Sequence, residues 1–336
     1  MTRLKLGLLG CGGFARTLTK PFEEFEDAEI SAVYNRTFSK AEDLGQELGV
    51  PAFASVQELL AQEFVDAVII NTSHDQHKPM ALAAATAGKH IFCEKPMALN
   101  VDECHDMISS AKEQGVKLFV GHVTRLLPLF ARVKEIIDSD DIGKPLAIQM
   151  TRYWPVIRLG WWAKRSLKGG LLHSPASHEI DYLNYLCGKA ASVHATAAPQ
   201  IQKQLDYEDT IFLTVCYESG AVGSIAASIS SGMPVQSGFI IGEAGGLKYD
   251  MYGPEGGYLE VKKTGSDESY REVLGDFGLD IGMRRELRNF VDYVLYETEP
   301  LLTAEGGLRT VEVMQAAYKS IREGHPISIP LDNQEL

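Results

Sequence analysis

An α/β fold in two parts, a doubly wound parallel sheet followed by an α+β domain with a mostly antiparallel sheet, is predicted by three observations. Up to about residue 122, short apolar runs alternate with helical patterns, as strands and crossover helices do in a parallel sheet. After Gly121-His122 the character changes to successive strand-like runs separated by turn residues, the mark of antiparallel pairing. With 336 residues, 45% of them hydrophobic, the chain has material for two ordinary cores.

In order, the first strands are read at Leu4 to Leu9, Ile30 to Tyr34, Ala67 to Asn71, His90 to Cys93 and Lys117 to Val120. Helices are expected between them at Ala15 to Phe25, Ser39 to Leu48, from Val56, Pro79 to Ala87 and Val101 to Gln114. A helix over Leu129 to Asp138 opens the second part. Strands follow at Leu146 to Tyr153, Ala191 to Ala197, Thr210 to Tyr217, Ala221 to Ile229 and Gly238 to Ile241, with helices near Ser174 to Leu186, Arg284 to Tyr296 and Ala304 to Arg322. The expected domains are 1–122 for dinucleotide binding and 123–336 for substrate binding and oligomer contact, hinged near 121–125.

The balance of 32 basic against 45 acidic residues, a net charge of -13, disfavours nucleic-acid and anionic-membrane partners. No apolar run reaches membrane-spanning length. Met1 leads directly into the alternating Leu4, Leu6 and Leu8 without an export signal, so a cytoplasmic address is expected. Cys11, Cys93, Cys104, Cys187 and Cys216 are odd in number and scattered, which fits reduced thiols better than disulfides or structural zinc.

The chemistry-bearing motifs begin at Gly10-Cys11-Gly12-Gly13-Phe14-Ala15, a G-x-G-x-x-A pattern directly after the first strand. Its glycines permit a tight turn and close approach of a pyrophosphate to the start of the next helix. At the end of the second strand, where an NAD site usually carries an acid for the ribose 2′-hydroxyl, the chain has Asn35-Arg36-Thr37. Neutral Asn35 does not repel a 2′-phosphate, Arg36 can pair with one or lie over the adenine, with a solvated loop cation as the alternative, and Thr37 can donate a hydrogen bond. NADP(H) is therefore the preferred coenzyme, with NAD(H) the alternative. Asn71 and Thr72 follow the next strand and are candidates for the coenzyme's ribose or diphosphate. His74 and His77 lack a nearby ligand set and no metal is expected, though His77 joins the coenzyme candidates with Phe14, Ala15 and Glu94.

Lys95 ends a strand-like run, and Pro96 biases it toward an extended backbone, presenting its ammonium at a strand end. Such a lysine donates hydrogen bonds and stabilises a developing alkoxide. Taken alone, it reads equally well as a surface lysine in a turn. In Gly169 to Asp181, Ser174-Pro175 reads as an N-cap with proline at the first helical position. His178 then lies about one turn in, suited to moving a proton near neutral pH.

Together, the glycine turn, Cys93-Glu94-Lys95-Pro96 and the Gly169 to Asp181 segment resemble the Gfo/Idh/MocA family of nicotinamide-dependent oxidoreductases, over essentially the whole chain. The resemblance implies a Rossmann domain followed by an open-faced sheet that often forms a homodimer or homotetramer contact. It also implies oxidation or reduction of a sugar, inositol or related polyol. Lys95 matches the lysine that contacts the reacting oxygen, and His178 matches the histidine assigned proton transfer. Where the family commonly has Asp, four residues before that histidine, this chain has Ser174, which removes a negative charge near the lysine. His173 is a candidate for partial compensation. Arg125, Tyr153, Trp161, Trp162 and Lys164 are candidates for shaping a sugar pocket, with ordinary packing as the alternative, and Lys164 or Arg165 in the cleft points to a phosphorylated or nucleotide-linked sugar. Two other functions remain open at this stage: a non-catalytic coenzyme or sugar sensor, and a glycosidase that recycles its nicotinamide.

Overall fold

The computed structural model describes residues 3–156 and 159–331. Two compact units emerge, Met1–His122 with Met283–Leu308, and Val123–Gly282 with Arg309–Leu336.

The first unit alternates β1 (Leu4–Leu9), α1 (Ala15–Thr19), β2 (Ala28–Tyr34), α2 (Phe38–Leu48), β3 (Ala52–Phe53), α3 (Val56–Leu60), β4 (Ala67–Ile70), α4 (His77–Thr86), β5 (His90–Glu94), α5 (Val101–Glu113) and β6 (Leu118–Gly121). The strands form a sheet in the order β3-β2-β1-β4-β5-β6. Every pairing in it is parallel. The strand residues are apolar on both faces because crossover helices cover both, and Leu6, Leu8, Ile69, Phe92 and Phe119 are fully buried. Helix starts are chemically marked. Asn100 caps α5 by accepting from Glu103 N at 2.9 Å, and Glu103 Oε2 in turn accepts from Leu99 N at 3.0 Å. One expected helix is shorter than its pattern. Ala15 to Phe25 divides into α1 and a 3-10 turn over Lys20–Glu23, because Pro21 lacks the N–H that would continue the ladder.

The second unit contains α6 (Pro128–Asp138), β7 (Pro145–Tyr153), α7 (Arg165–Lys168), α8 (Ser177–Cys187), β8 (Ala190–Ala197), β9 (Thr210–Tyr217), β10 (Val222–Ser228), β11 (Val235–Gly242), β12 (Gly245–Gly253), β13 (Gly256–Lys263) and β14 (Ser269–Gly275). Then come α9 (Leu279–Tyr296) and α10 (Ala304–Glu323), whose residues are divided between the two units, and β15 (Ile327–Ser328). The sheet order is β14-β13-β12-β11-β7-β10-β9-β8-β15. All pairs are antiparallel except β7 with β10. Strand pairing extends past the expected Gly238 to Ile241 through β12, β13 and β14. These carry charged residues that pair across the ladder, such as Lys248 with Glu260 at 2.8 Å, with Arg271 over the Tyr258 ring at 4.0 Å.

Register fixes what each face of this sheet carries. Ile148, Met150 and Ile225 are buried against the helices. On the opposite face Ile241, Ala147, Val222 and Cys216 form one cross-strand row, and Phe239, Gln149, Ser224 and Thr214 the next. Phe212, Val222, Phe239 and Ile241 on that face are between 41% and 50% exposed, so this side of the sheet is open and partly apolar.

Candidate functional site

In the first unit β1 lies between β2 and β4, where the strand order reverses, so the turns leaving these three strands share one edge. Gly10 starts the turn after β1 at φ +110, and a Cβ there would sit 2.3 Å from the Asn71 carbonyl oxygen. Glycine alone fits. Two asparagines pin the turn from either side. Asn35 Oδ1 accepts from Cys11 N at 3.1 Å while its Nδ2 donates to Thr37 O at 3.0 Å. Asn71 Nδ2 donates to Gly10 O at 3.0 Å. Both were expected to touch the coenzyme; what the structure gives them is the shaping of its turn.

Gly12 and Gly13 differ from Gly10. Both are exposed, neither has positive φ, and among the described residues a Cβ at either would meet no atom within 4 Å beyond its chain neighbours. Nothing inside the protein requires glycine there. A ligand lying against the backbone would, as a dinucleotide pyrophosphate does on such a turn. Phe14 precedes α1, and Ala15 is packed inward as its first residue.

Arg36 and Thr37 are exposed at the end of β2, and Thr37 immediately precedes the eleven-residue α2 without spending its hydroxyl on a cap. Residues 35–40 contain Arg36 and Lys40 and no carboxylate. After β4, the Thr72 hydroxyl oxygen is buried without a hydrogen bond. His77 takes a different role from the one expected. It is 1% exposed, its Nδ1–H donates to Pro96 O at 2.8 Å and it makes a second backbone contact to Thr72, so the ring is an internal strut between the segments after β4 and β5. Burial depresses its pKa. Lys95 follows β5 with a cis peptide to Pro96. Glu94 Oε2 accepts from Lys95 N at 3.2 Å. Burial raises the Glu94 carboxyl to about 7, against the pull of the Lys95 charge.

In the second unit Arg125, expected to contact substrate, is buried and committed to Asp181. Its Nε donates to Oδ2 at 2.8 Å and its Nη2 to Oδ1 at 2.6 Å, and the guanidinium lies 4.5 Å from the Tyr185 ring centroid. This bidentate pair anchors α8 on its Asp181 side. The expected N-cap at Ser174 is not formed. Tight turns run from Leu172 through Ala176, helix begins at Ser177, and the Ser174 carbonyl accepts from Ser177 Oγ at 2.7 Å. Gly169 and Gly170, both at positive φ, start this run, and a Cβ on Gly169 would strike the His173 ring at 2.4 Å. Pro175 therefore sits inside a turn. His178 becomes the second residue of α8, flanked in sequence by buried Ser177 and Glu179.

His173 stacks on Tyr318, with centroids 5.9 Å apart and planes at 13°. Trp162 packs against Trp161 at 4.5 Å, its carbonyl accepts from Tyr207 OH at 2.6 Å, and Lys168 Nζ lies 5.1 Å from its ring. Arg165 is engaged by Glu208, by Asp206 and by the Tyr318 ring, while Lys164 is exposed. Tyr153 ends β7, half-buried. Sequence reasoning missed Arg152, Glu179 and Gln236, which gather beside the start of α8. Only the adjacency of Glu179 to His178 hinted at them; no local pattern marks an Arg on one strand as opposite a Gln on another.

Residues 4–122 match the oxidoreductase family with an NAD-binding Rossmann fold, and residues 134–329 match that family's C-terminal alpha/beta domain. The chain is 25% identical over 341 residues to a myo-inositol 2-dehydrogenase of Thermotoga maritima, covering 97% of this chain and 98% of that one. It is 28% identical over 258 residues to a 2,7-anhydro-N-acetylneuraminate hydratase of Escherichia coli, covering 74% and 68%. Its fold is shared with the aldose-aldose oxidoreductase of Caulobacter crescentus, at a TM-score of 0.87 and 23% identity over 97% of this chain and 100% of that one.

Gly12→Ala leaves the unfolding midpoint unchanged but weakens NADPH and NADH binding by about tenfold or more, equivalent to about 1.4 kcal/mol, in a fluorescence titration. Unchanged affinity would contradict the cradle. For Glu94, a raised carboxyl pKa means that the folded state holds its proton more tightly than the unfolded state. Its contribution to stability is therefore lost as pH rises from the ordinary 4.5 to about 7. Denaturation at pH 5 and pH 8 tests this: Glu94→Gln gains stability relative to wild type across that interval, and parallel profiles would refute it.

Proposed function

The chain belongs to the Gfo/Idh/MocA oxidoreductase family, and on that premise we propose that it is an NADP(H)-preferring enzyme interconverting a hydroxyl and a carbonyl on a sugar, cyclitol or sugar derivative. The observation that carries this reading is the pair Gly12 and Gly13. They are glycines with no internal reason to be so, at the carboxyl edge of a sheet where β5 also ends in Glu94-Lys95. When bound, the nicotinamide supplies or accepts the hydride. Gly10, Gly12 and Gly13 would seat the pyrophosphate, with Asn35 and Asn71 fixing the turn.

Arg36 and Thr37 support the preference for NADP(H). A 2′-phosphate beside them meets a guanidinium, a hydroxyl not used as a cap and the first turn of α2, and no carboxylate from residues 35–40. Lys95 is assigned to stabilise negative charge on the reacting oxygen, and His178 to give that oxygen its proton in reduction and take it back in oxidation. Tyr153 and Trp162 remain candidates for covering a sugar ring. The open face of the second sheet supports self-association to a dimer or tetramer; light scattering that returns a monomer would reject it. The substrate class draws support from the inositol and aldose enzymes this chain resembles. A redox-neutral reaction with a recycled nicotinamide is the second reading, favoured by the match to a hydratase, since adding water to a substrate changes no oxidation state.

A screen of both nicotinamides against sugars, inositols and their keto forms tests the proposal through coenzyme absorbance. Turnover should appear, faster or at lower coenzyme concentration with NADP(H). Lys95→Ala and His178→Ala should each lower kcat by about 10²-fold or more while coenzyme binding persists. Equal use of NAD(H), or unchanged turnover in either variant, would reject the corresponding assignment.

A further inference from the structure

Arg152, Glu179 and Gln236 form a buried polar cluster that the roles above leave unused. Arg152 on β7 and Gln236 on β11 are directly opposed in the antiparallel ladder, and Glu179 is the third residue of α8. Arg152 is 7% exposed and Gln236 1%. Gln236 Nε2 donates to Glu179 Oε1 at 2.9 Å; the same oxygen lies 3.9 Å from Arg152 Nε, beyond hydrogen-bond range. Arg152 Nε and Nη1, and Gln236 Oε1, are buried without a hydrogen bond. Trp154 lies 5.0 Å from the guanidinium. This ring, 36% exposed, is the solvent-facing side of the cluster.

Buried polar groups in folded proteins are almost always paired, and a guanidinium offers five donors in a fixed fork. Here two Arg152 donors and the Gln236 acceptor stand side by side without hydrogen-bond partners. The chemistry of the set selects its ligand. A carboxylate or phosphate only accepts, so it would satisfy Arg152, leave Gln236 Oε1 unpaired and add negative charge beside Glu179. A hydroxyl group both accepts and donates, and it adds no charge. We propose that Arg152 and Gln236 form a recognition subsite for an uncharged polyol, Arg152 donating to one hydroxyl oxygen and Gln236 Oε1 accepting from that hydroxyl or its neighbour. Trp154 lies on the solvent side, where the ligand would enter. This rests on the functional reading above for calling the polyol a substrate, and deepens it by setting neutral polyols apart from sugar acids and sugar phosphates.

Calorimetric titration of the NADP⁺-loaded protein with myo-inositol, D-glucose and D-glucuronate tests the subsite without requiring turnover. Arg152→Met alone would strand the Glu179 carboxylate, so it is combined with Glu179→Gln; Gln236→Leu provides an independent variant. Retained coenzyme binding and an unchanged circular dichroism spectrum establish that each is folded. Wild type should bind at least one neutral probe about tenfold more tightly than glucuronate, and each variant should lose about tenfold or more of that affinity. Glucuronate binding as tightly as the neutral probes, variants that keep wild-type affinity, or no binding of either neutral probe would overturn the subsite. Polyol binding without turnover upholds the subsite and counts against the oxidoreductase reading. Turnover with affinity unchanged in the variants does the reverse.

Discussion

The turn after β1 is the constraint on which the first unit's functional edge depends. Gly10 lies so close beneath the Asn71 carbonyl that no side chain fits, and the turn is tied sideways to β2 through Asn35 and to β4 through Asn71. Because β1 stands where the strand order reverses, fixing it also fixes where its neighbours release their loops. Arg36 and Thr37 leave β2 on one side, and Thr72 to His77 leave β4 on the other. The buried imidazole of His77 then carries the constraint one strand further, to Pro96 and the lysine before it. Burial depresses the pKa of this imidazole, against the pull of its contacts to the Pro96 and Thr72 backbones.

In the second unit the corresponding device is a helix held by buried carboxylates. Asp181 is bound bidentately by Arg125 and also accepts from Thr310 Oγ1 at 3.3 Å, while Glu179 accepts from Gln236. Such pairs add little net stability over apolar packing, but removing one partner strands a charge and costs about 3–5 kcal/mol. Their value here is orientation. With the residues on both sides of its short sequence neighbourhood anchored, His178 has little freedom to rotate about the α8 axis.

Much of this was legible in the sequence, and what was not has physical causes. The fold class followed from alternating strands and helices, because a strand buried on both faces and a helix buried on one have distinct periods. The glycine turn, Lys95 and His178 stood out because each rests on local geometry: a tight turn, a proline after a strand, a histidine near a helix start. Ser174 misled for the same reason, since Ser-Pro favours a helix start in isolation, and the two glycines upstream instead set a run of turns that continues to Ala176. Arg125, His77 and Arg165 looked available because partners such as Asp181 and Glu208, or the Pro96 carbonyl, lie far along the chain. The Arg152 and Gln236 opposition was invisible for the same reason, as register between distant strands is a tertiary property.

The family match points to nicotinamide chemistry, and the fate of the hydride is the point at which a dehydrogenase separates from a redox-neutral enzyme. Incubation with NADPH deuterated at the transferable nicotinamide position and a keto-inositol or keto-sugar acceptor, followed by NMR of the product, tests this most directly. The account predicts deuterium on the carbon bearing the new hydroxyl, in amount equal to the coenzyme oxidised. Product formed without net coenzyme oxidation, or coenzyme oxidised without deuterium in the product, would contradict it.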